Sequence, residues 1–575
     1  MSNFFLDNPD LTTALDELDL ARVVELRESG FAEAGAFTWA PHDLGDALDD
    51  YRRTLEIVGE IAGEFVAPRA EEVDKAGSTY AEGEVCYAPG LSEALERLRQ
   101  ADLMGITLPR RFGGLNFPVT IAAMIIEVIS RADASLMNIF GLQDIADTIN
   151  KFASEEIKQA YLPRFASGEV TGSMALTEPE AGSDLQNIQL KARRGADDRW
   201  YLNGVKRFIT NGCGQVSLVL ARSEEGTTDA RGLSLFLYER DEHMKIRRIE
   251  EKLGIHGSPT CEMQFTDAPA LLIGDRRRGL TTYVMSLMNG ARLAIAAQAQ
   301  GISEAAYRAA HKYAEERVQF GVPIRKLVAV TTILAEMKVA LDASRALLYE
   351  TGVIMDLKEG LEASLESHGS ERGPEELKQL RAEWKKYSRY AGLFTPLVKA
   401  LCTETANHIA YDSLQVHGGS GYMRDFAVER HMRDARITNI YEGTTQLQVV
   451  AARGGIFGGA LSEWFDESES HDLSHTPELF ARVKHARARY EEAVAYVQRL
   501  DDPRFRDHHA TRLVEMGADL ACAYLLLRRA QDDARRLLTA QYFVEHKVPL
   551  VEAGSDLVLN SQPDSLDALS LLAGY

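Results

Sequence analysis

Cysteine is scarce in this 575-residue chain: five residues (Cys86, Cys213, Cys261, Cys402 and Cys522) lie scattered along it, none in a C-x-x-C pair. That pattern argues against a disulfide framework and against a cysteine-held metal or iron–sulfur site, and it fits a reducing, cytoplasmic setting. Long apolar runs are missing too, so no stretch of about 18 apolar residues offers a membrane span. The N-terminal "MSNFFLDNPDL" carries acidic residues and no basic region of the kind that opens an export signal. Positive charge is in deficit, with 64 Lys and Arg against 86 Asp and Glu and a formal net charge of −22. Such a chain repels polyanions at long range, which argues against nucleic acid as a partner. Internal repeats and low-complexity linkers are absent as well.

What is present is the composition of a globular protein, 45% hydrophobic and 26% charged, in a chain too long for one ordinary core. The local pattern changes four times and suggests five segments. Residues 1–46 form a lead segment. Residues 47–165, as in "LEIVGEIAGEFVAPRAEEV", place apolar residues at helical spacing. Across 166–278 the apolar runs shorten and are broken by turns, as in "WYLNGVKRFITNG" and "GLSLFLYERD", which predicts a β domain. Helical stretches return over 279–459 and predict an antiparallel bundle. A charged insert near 357–385 reads as an exposed helical excursion, and 460–575 as a helical extension without a chemical motif. The expected fold is therefore mainly α with a central β domain.

Six short motifs, "MALTEPEAGSD", "KRFITNG", "EKLGIHGSPTCEM", "ERVQFGVPI", "QVHGGSGYM" and "IYEGTTQLQ", follow one another in this order. Each alone is weak; "TEPEAGSD" by itself reads as an ordinary turn and the Gly-Gly pair as a helix C-cap. As an ordered set they resemble the acyl-CoA dehydrogenase family over roughly residues 50–455, and most closely its larger members with a bundle insert and a C-terminal extension. The resemblance implies an α-helical domain, a β-barrel-like domain and a four-helix bundle. It also implies one FAD per subunit, a homodimer or homotetramer, an acyl-CoA substrate and electrons passed to electron-transferring flavoprotein.

Residue by residue, the resemblance implies that Met174, Leu176, Thr177 and Ser183 face the flavin, with Ser183 also near the substrate, and that Phe208 and Thr210 make a second flavin contact. Many relatives carry Trp at the position of Phe208. Arg317, Gln319 and Phe320 would hold the adenosine-diphosphate part of FAD, a guanidinium suiting pyrophosphate and an aromatic suiting adenine. Gln415 and Gly419 would complete that site, and Thr444 and Gln446 would return to the flavin. Tyr441 and Gly443 would line the acyl slot. Arg292 would help hold the substrate, an ordinary surface ion pair being its alternative.

Desaturating an acyl thioester needs one carboxylate to take a weakly acidic Cα proton, and in this pattern it is Glu442. On its own Glu442 is an ordinary solvated side chain; the resemblance implies that it is the base, its basicity sharpened by desolvation under bound acyl chain and flavin. Some relatives keep their base directly before the arginine that matches Arg292, where this chain has Ala291. His256 and His417 read as loop and cap residues rather than ligands, so no metal site is expected. Arg276–Arg278 read as a solvated loop, with the CoA 3′-phosphate as the alternative. An oxygen-using acyl-CoA oxidase shares the same base and flavin. A flavin monooxygenase would dispense with the base, a nucleic-acid-binding member of the fold conflicts with the acidic charge, and a purely structural helical scaffold leaves the six motifs unexplained.

Overall fold

A computed structural model describes residues 2–368, 372–531 and 533–574. It divides into two compact units, one made of the chain up to Ala305 together with Met423–Thr438, the other of Ala306–Tyr422 and Asn439 onward.

The first unit is built on a helix with little polar surface, Val119–Ala132, whose sequence "VTIAAMIIEVISRA" is apolar on nearly every side and is buried along almost its whole length. A helix apolar all round belongs at the centre of a core. The lead segment is more structured than its sequence announces. Helices Pro9–Glu17 and Ala21–Arg27 form there, and Glu28 meets the guanidinium of Arg110 through two bonds of 2.7 and 2.9 Å with both side chains buried. A bidentate geometry of this kind lets two buried charges compensate each other's lost hydration.

Seven strands form the central sheet: β1 (Gly172–Ala175), β2 (Lys191–Arg194), β3 (Trp200–Thr210), β4 (Val216–Arg222), β5 (Leu233–Glu239), β6 (Met244–Ile249) and β7 (Thr260–Ile273). Their order is β1-β4-β2-β3-β7-β5, with β6 paired to β7 and a further β4–β5 pairing that closes the circuit into a barrel-like form. Strand β4 is buried on both faces, so it lacks the polar alternation of a half-exposed strand. Val216, Leu218 and Leu220 pack with Leu162 and Phe165 of helix Glu155–Ala166, while Val219 and Ala221 join Trp200, Phe236 and Met263 in a second core. The period of two thus splits one strand between two apolar layers.

In the second unit two long helices, Val328–His368 and Pro374–His417, pack against each other with Thr445–Phe457 alongside. The insert is a continuation of these two helices, and residues 369–371 of it lie outside the described residues. It is not exposed throughout: Leu357, Leu361 and Leu380 are buried, because helices that extend past the bundle keep an apolar face turned to their neighbours. The extension adds Ala460–Glu469, Pro477–Leu500, Pro503–Arg528 and Ala534–Leu559, the last three packed on one another. Among the described residues no helix is long and apolar enough to cross a membrane.

Candidate active site

In the first unit, β1 ends at Ala175 and leads into the loop that carries Leu176, Thr177 and Ser183. Two residues not singled out from the sequence hold this loop. Lys206, fully buried on β3, donates to the Leu176 carbonyl at 2.7 Å and to Glu178 Oε1 at 2.9 Å. Glu178 in turn accepts from the backbone N–H groups of Gln189 and Leu190. Burial pulls the Lys206 ammonium down to about 8, with the Glu178 carboxylate opposing the shift. The Arg207 N–H donates to the Thr177 carbonyl at 3.0 Å, so the two motifs expected to face a flavin are bonded side by side. A lysine inside the strand pattern "GVKRF" was the available signal, since a cation at a core-facing strand position demands a buried partner.

Phe208 stands on an irregularity of the sheet. The β3–β7 register shifts between Lys206 and Ile209, Phe208 takes φ +62°, and the residue is 51% exposed. A bulge re-aims a side chain that regular alternation would place elsewhere, and here it turns an aromatic face outward. Met174 and Thr210 are half-buried and Ser183 is exposed. Arg292 lies on helix Met285–Glu316 and donates to Asn289 Oδ1 at 3.1 Å. Arg276 is committed to Glu224 by two bonds of 3.0 Å, which weakens the CoA-phosphate alternative for its loop.

In the second unit, Val318–Gln319 pairs with Val322–Pro323 as a tight hairpin. Its central residues, Phe320 at φ +52° and Gly321 at φ +80°, are both left-handed as a type I′ turn requires. The turn presents Phe320 with 90% of its surface exposed, beside an exposed Arg317. Tyr313, just before the hairpin, stacks on His417 with centroids 4.2 Å apart, and its hydroxyl lies 3.3 Å from Ser420 Oγ. These contacts bring the hairpin motif next to the helix end that carries Gln415 and Gly419. His417 is buried, its Nδ1 set against the Ser413 carbonyl, and burial moves its pKa down. Open space surrounds the place where a Gly419 side chain would stand. The exposed Phe320 ring, an exposed guanidinium and a glycine-lined turn suit a planar base joined to a pyrophosphate.

The remaining site residues share one turn. Tyr441, Glu442, Gly443 and Thr444 are half-buried and Gln446 is exposed. Thr444 caps helix Thr445–Phe457. Glu442 at φ +53° and Gly443 at φ +92° are consecutive left-handed residues. Three side chains that sequence reading passed over, Lys399, Glu404 and Gln448, bond to the segment 439–445. Their signal was faint: Lys399 interrupts the apolar run "LFTPLVKALC", and a buried lysine in a helix looks like a solvated one.

The comparisons agree with this architecture. Family models match for the acyl-CoA dehydrogenase N-terminal domain at residues 49–169, the middle domain at 173–268, the C-terminal domain at 278–366 and 378–454, and a further acyl-CoA dehydrogenase C-terminal model at 459–554. The 3-methylmercaptopropionyl-CoA dehydrogenase of Ruegeria pomeroyi is 33% identical over 431 residues, covering 70% of this chain and 69% of that protein. An acyl-CoA dehydrogenase of Bacillus subtilis is 32% identical over 413 residues, covering 70% and 97%. A chain solved in work on the electron transferring flavoprotein of Acidaminococcus fermentans shares 31% identity and a TM-score of 0.60, over 71% of this chain and 98% of that one. The protein belongs to the acyl-CoA dehydrogenase family, a class of FAD-dependent oxidoreductases.

Proposed function

We propose that this protein dehydrogenates an acyl-CoA thioester between Cα and Cβ, with Glu442 as the base that takes the Cα proton. Bound FAD supplies the acceptor for the hydride that leaves Cβ, the electrons then passing to electron-transferring flavoprotein. Thr177, Phe208, Thr444 and Gln446 would hold the flavin, with Met174, Leu176, Ser183 and Thr210 beside it. Arg317, Gln319, Phe320, Gln415 and Gly419 would hold the adenosine-diphosphate part. Tyr441 and Gly443 would line the acyl slot and Arg292 would steady the substrate. The protein would work in the cytoplasm as a homo-oligomer.

The observation that carries this reading is the turn at Glu442. A non-glycine residue held at φ +53° by buried side chains is a strained, over-determined position, and such positions concentrate where a group must be aimed. A carboxylate carried on this turn can collect a proton from carbon only if the charge left behind is stabilised. The backbone N–H of Glu442 is the donor proposed for the thioester carbonyl oxygen.

The test is anaerobic mixing of the yellow enzyme with short, branched, cyclic and sulfur-containing acyl-CoA esters. Wild type should bleach with at least one class, and Glu442→Gln, which keeps shape but cannot take a proton, should bleach at least roughly a thousandfold more slowly while still binding FAD and ligand. Bleaching of Glu442→Gln at the wild-type rate would remove Glu442 from the role of base. Rapid oxygen consumption by the reduced enzyme would favour an oxidase.

A further inference from the structure

The turn that carries Glu442 is gripped from behind. Lys399, fully buried on helix Pro374–His417, donates its ammonium to the Tyr441 carbonyl at 2.8 Å and the Gly443 carbonyl at 2.5 Å. Gln448, also fully buried, donates Nε2 to the Glu442 carbonyl at 3.2 Å and the Gly443 carbonyl at 2.9 Å. Glu404 accepts from Asn439 Nδ2 at 3.0 Å and from the Thr445 hydroxyl, which closes the ends of the turn. Each carbonyl from 441 to 443 therefore accepts from a buried side chain.

A planar trans peptide points its C=O and the following N–H in opposite directions. When Lys399 fixes the Tyr441 oxygen, it also fixes the Glu442 N–H, which points away from the ammonium. The cation draws electron density onto that oxygen and leaves the N–H a stronger donor, as happens along any hydrogen-bonded chain that ends on a charge.

We propose that Lys399 is a positioning residue for the reaction: through the Tyr441 carbonyl it aims and strengthens the Glu442 N–H toward the substrate's thioester carbonyl oxygen. This rests on the reading of Glu442 given above. As the Cα proton moves to the Glu442 carboxylate, the C–H electron pair enters the bond to the carbonyl carbon and the thioester oxygen takes up the negative charge. That oxygen then faces an N–H already oriented and polarised, so no backbone movement is needed when the charge arrives.

A ligand that can enolise but cannot be oxidised separates this step from turnover. An acyl-CoA with sulfur in place of Cβ keeps an acidic Cα–H and has no Cβ hydride to give. Bound to FAD-loaded wild type, it should show an enolate absorption band and a ¹³C-carbonyl stretch lowered from its value in solution. In Lys399→Met the stretch should move back toward the solution value and the enolised fraction should fall at least about tenfold, the scale of a misaimed oxyanion donor. Lys399→Gln, which keeps an N–H for one carbonyl without the charge, should fall between them, and it carries the test if Lys399→Met does not fold. A wild-type stretch and wild-type enolisation in either folded variant would overturn the proposal. Glu442→Gln is the parallel control: if it too enolises like wild type, the assignment of the base fails, whereas normal enolisation in the Lys399 variants alone overturns only the role given to Lys399.

Discussion

At the scale of single residues, buried charge is where this chain departs most from what its composition suggests. Asp434 is fully buried and accepts from the Ile255 N–H at 2.6 Å. Desolvation pushes its carboxyl up to about 6, against the pull of that N–H and of Arg430, while Asp74 and Asp133 push the same way as burial. Lys252, itself lowered to about 8 by burial, feels the Asp434 charge. The sign follows from the raised value. The folded protein keeps this proton to higher pH than the unfolded chain, so the stability it contributes is full below pH 3.8 and is lost as the pH rises through about 6. Asp434→Asn keeps an oxygen for Ile255 and removes the titration. The variant should match wild type near pH 4 and exceed it by about 1–2 kcal/mol at pH 7. Urea unfolding at a series of pH values measures the difference, and a gap that does not change between pH 4 and 7 would contradict the assignment.

At the scale of elements, the turn 440–444 depends on one backbone position. Gly443 sits at φ +92°, and a Cβ built there would lie 2.6 Å from Gln448 Nε2. Gly443→Ala should therefore cost about 1–3 kcal/mol of stability and displace the amide that holds the Glu442 carbonyl. Flavin reduction should slow by at least roughly tenfold, since small misplacement of a catalytic atom is expensive, while FAD stays bound. Stopped-flow reduction with thermal unfolding checks both halves, and unchanged reduction would show that the turn tolerates the shift. Helical and strand periods and the turn residues around the six motifs are legible in the sequence, because each follows from spacing along the chain, whereas Glu442 of "IYEGTTQ" stands out only through the family resemblance of the ordered motif set. The bulge that turns Phe208 outward is not, since it is set by the register between β3 and β7. Nor are Lys206 and Lys399, whose roles arise from partners 30 and 42 positions away in the chain that meet only after packing; Gln448 bonds only five positions back, but the bond depends on the left-handed turn at Glu442 and Gly443. The lead segment's helices escaped notice for the same reason: a short helix such as Ala21–Arg27 is held by tertiary contacts rather than by its own propensity.

At the scale of the whole molecule, the question is whether the C-terminal extension is an appendage or part of the second unit's core. The B. subtilis relative is spanned over 97% of its length while only 70% of this chain is matched, so an acyl-CoA dehydrogenase core stands elsewhere without about a third of this polypeptide. Here the bundle is built to be covered. The Phe394 ring on helix Pro374–His417 packs 5.1 Å from Trp464 of the extension, and both are buried. Cys522 donates to the Ala343 carbonyl at 3.5 Å, Arg528 pairs with Glu350 at 2.6 Å and Lys386 with Glu467 at 3.0 Å. Removing everything after Gly459 would bare Phe394 and Tyr390, which are buried in the intact chain. It would also leave Glu350 and Lys386 without these partners. Exposing a large apolar side chain costs about 1.5–3 kcal/mol, and several such losses together rival the net stability of a domain, about 5–15 kcal/mol. A chain ending at Gly459 should therefore aggregate, or survive only as a loosened species that binds apolar dye and loses FAD. Size-exclusion chromatography, dye binding and flavin absorbance on the truncated protein decide the matter. A monodisperse, yellow truncation with the wild-type unfolding temperature would show that the bundle's aromatic face needs no cover and that the extension serves something other than stability.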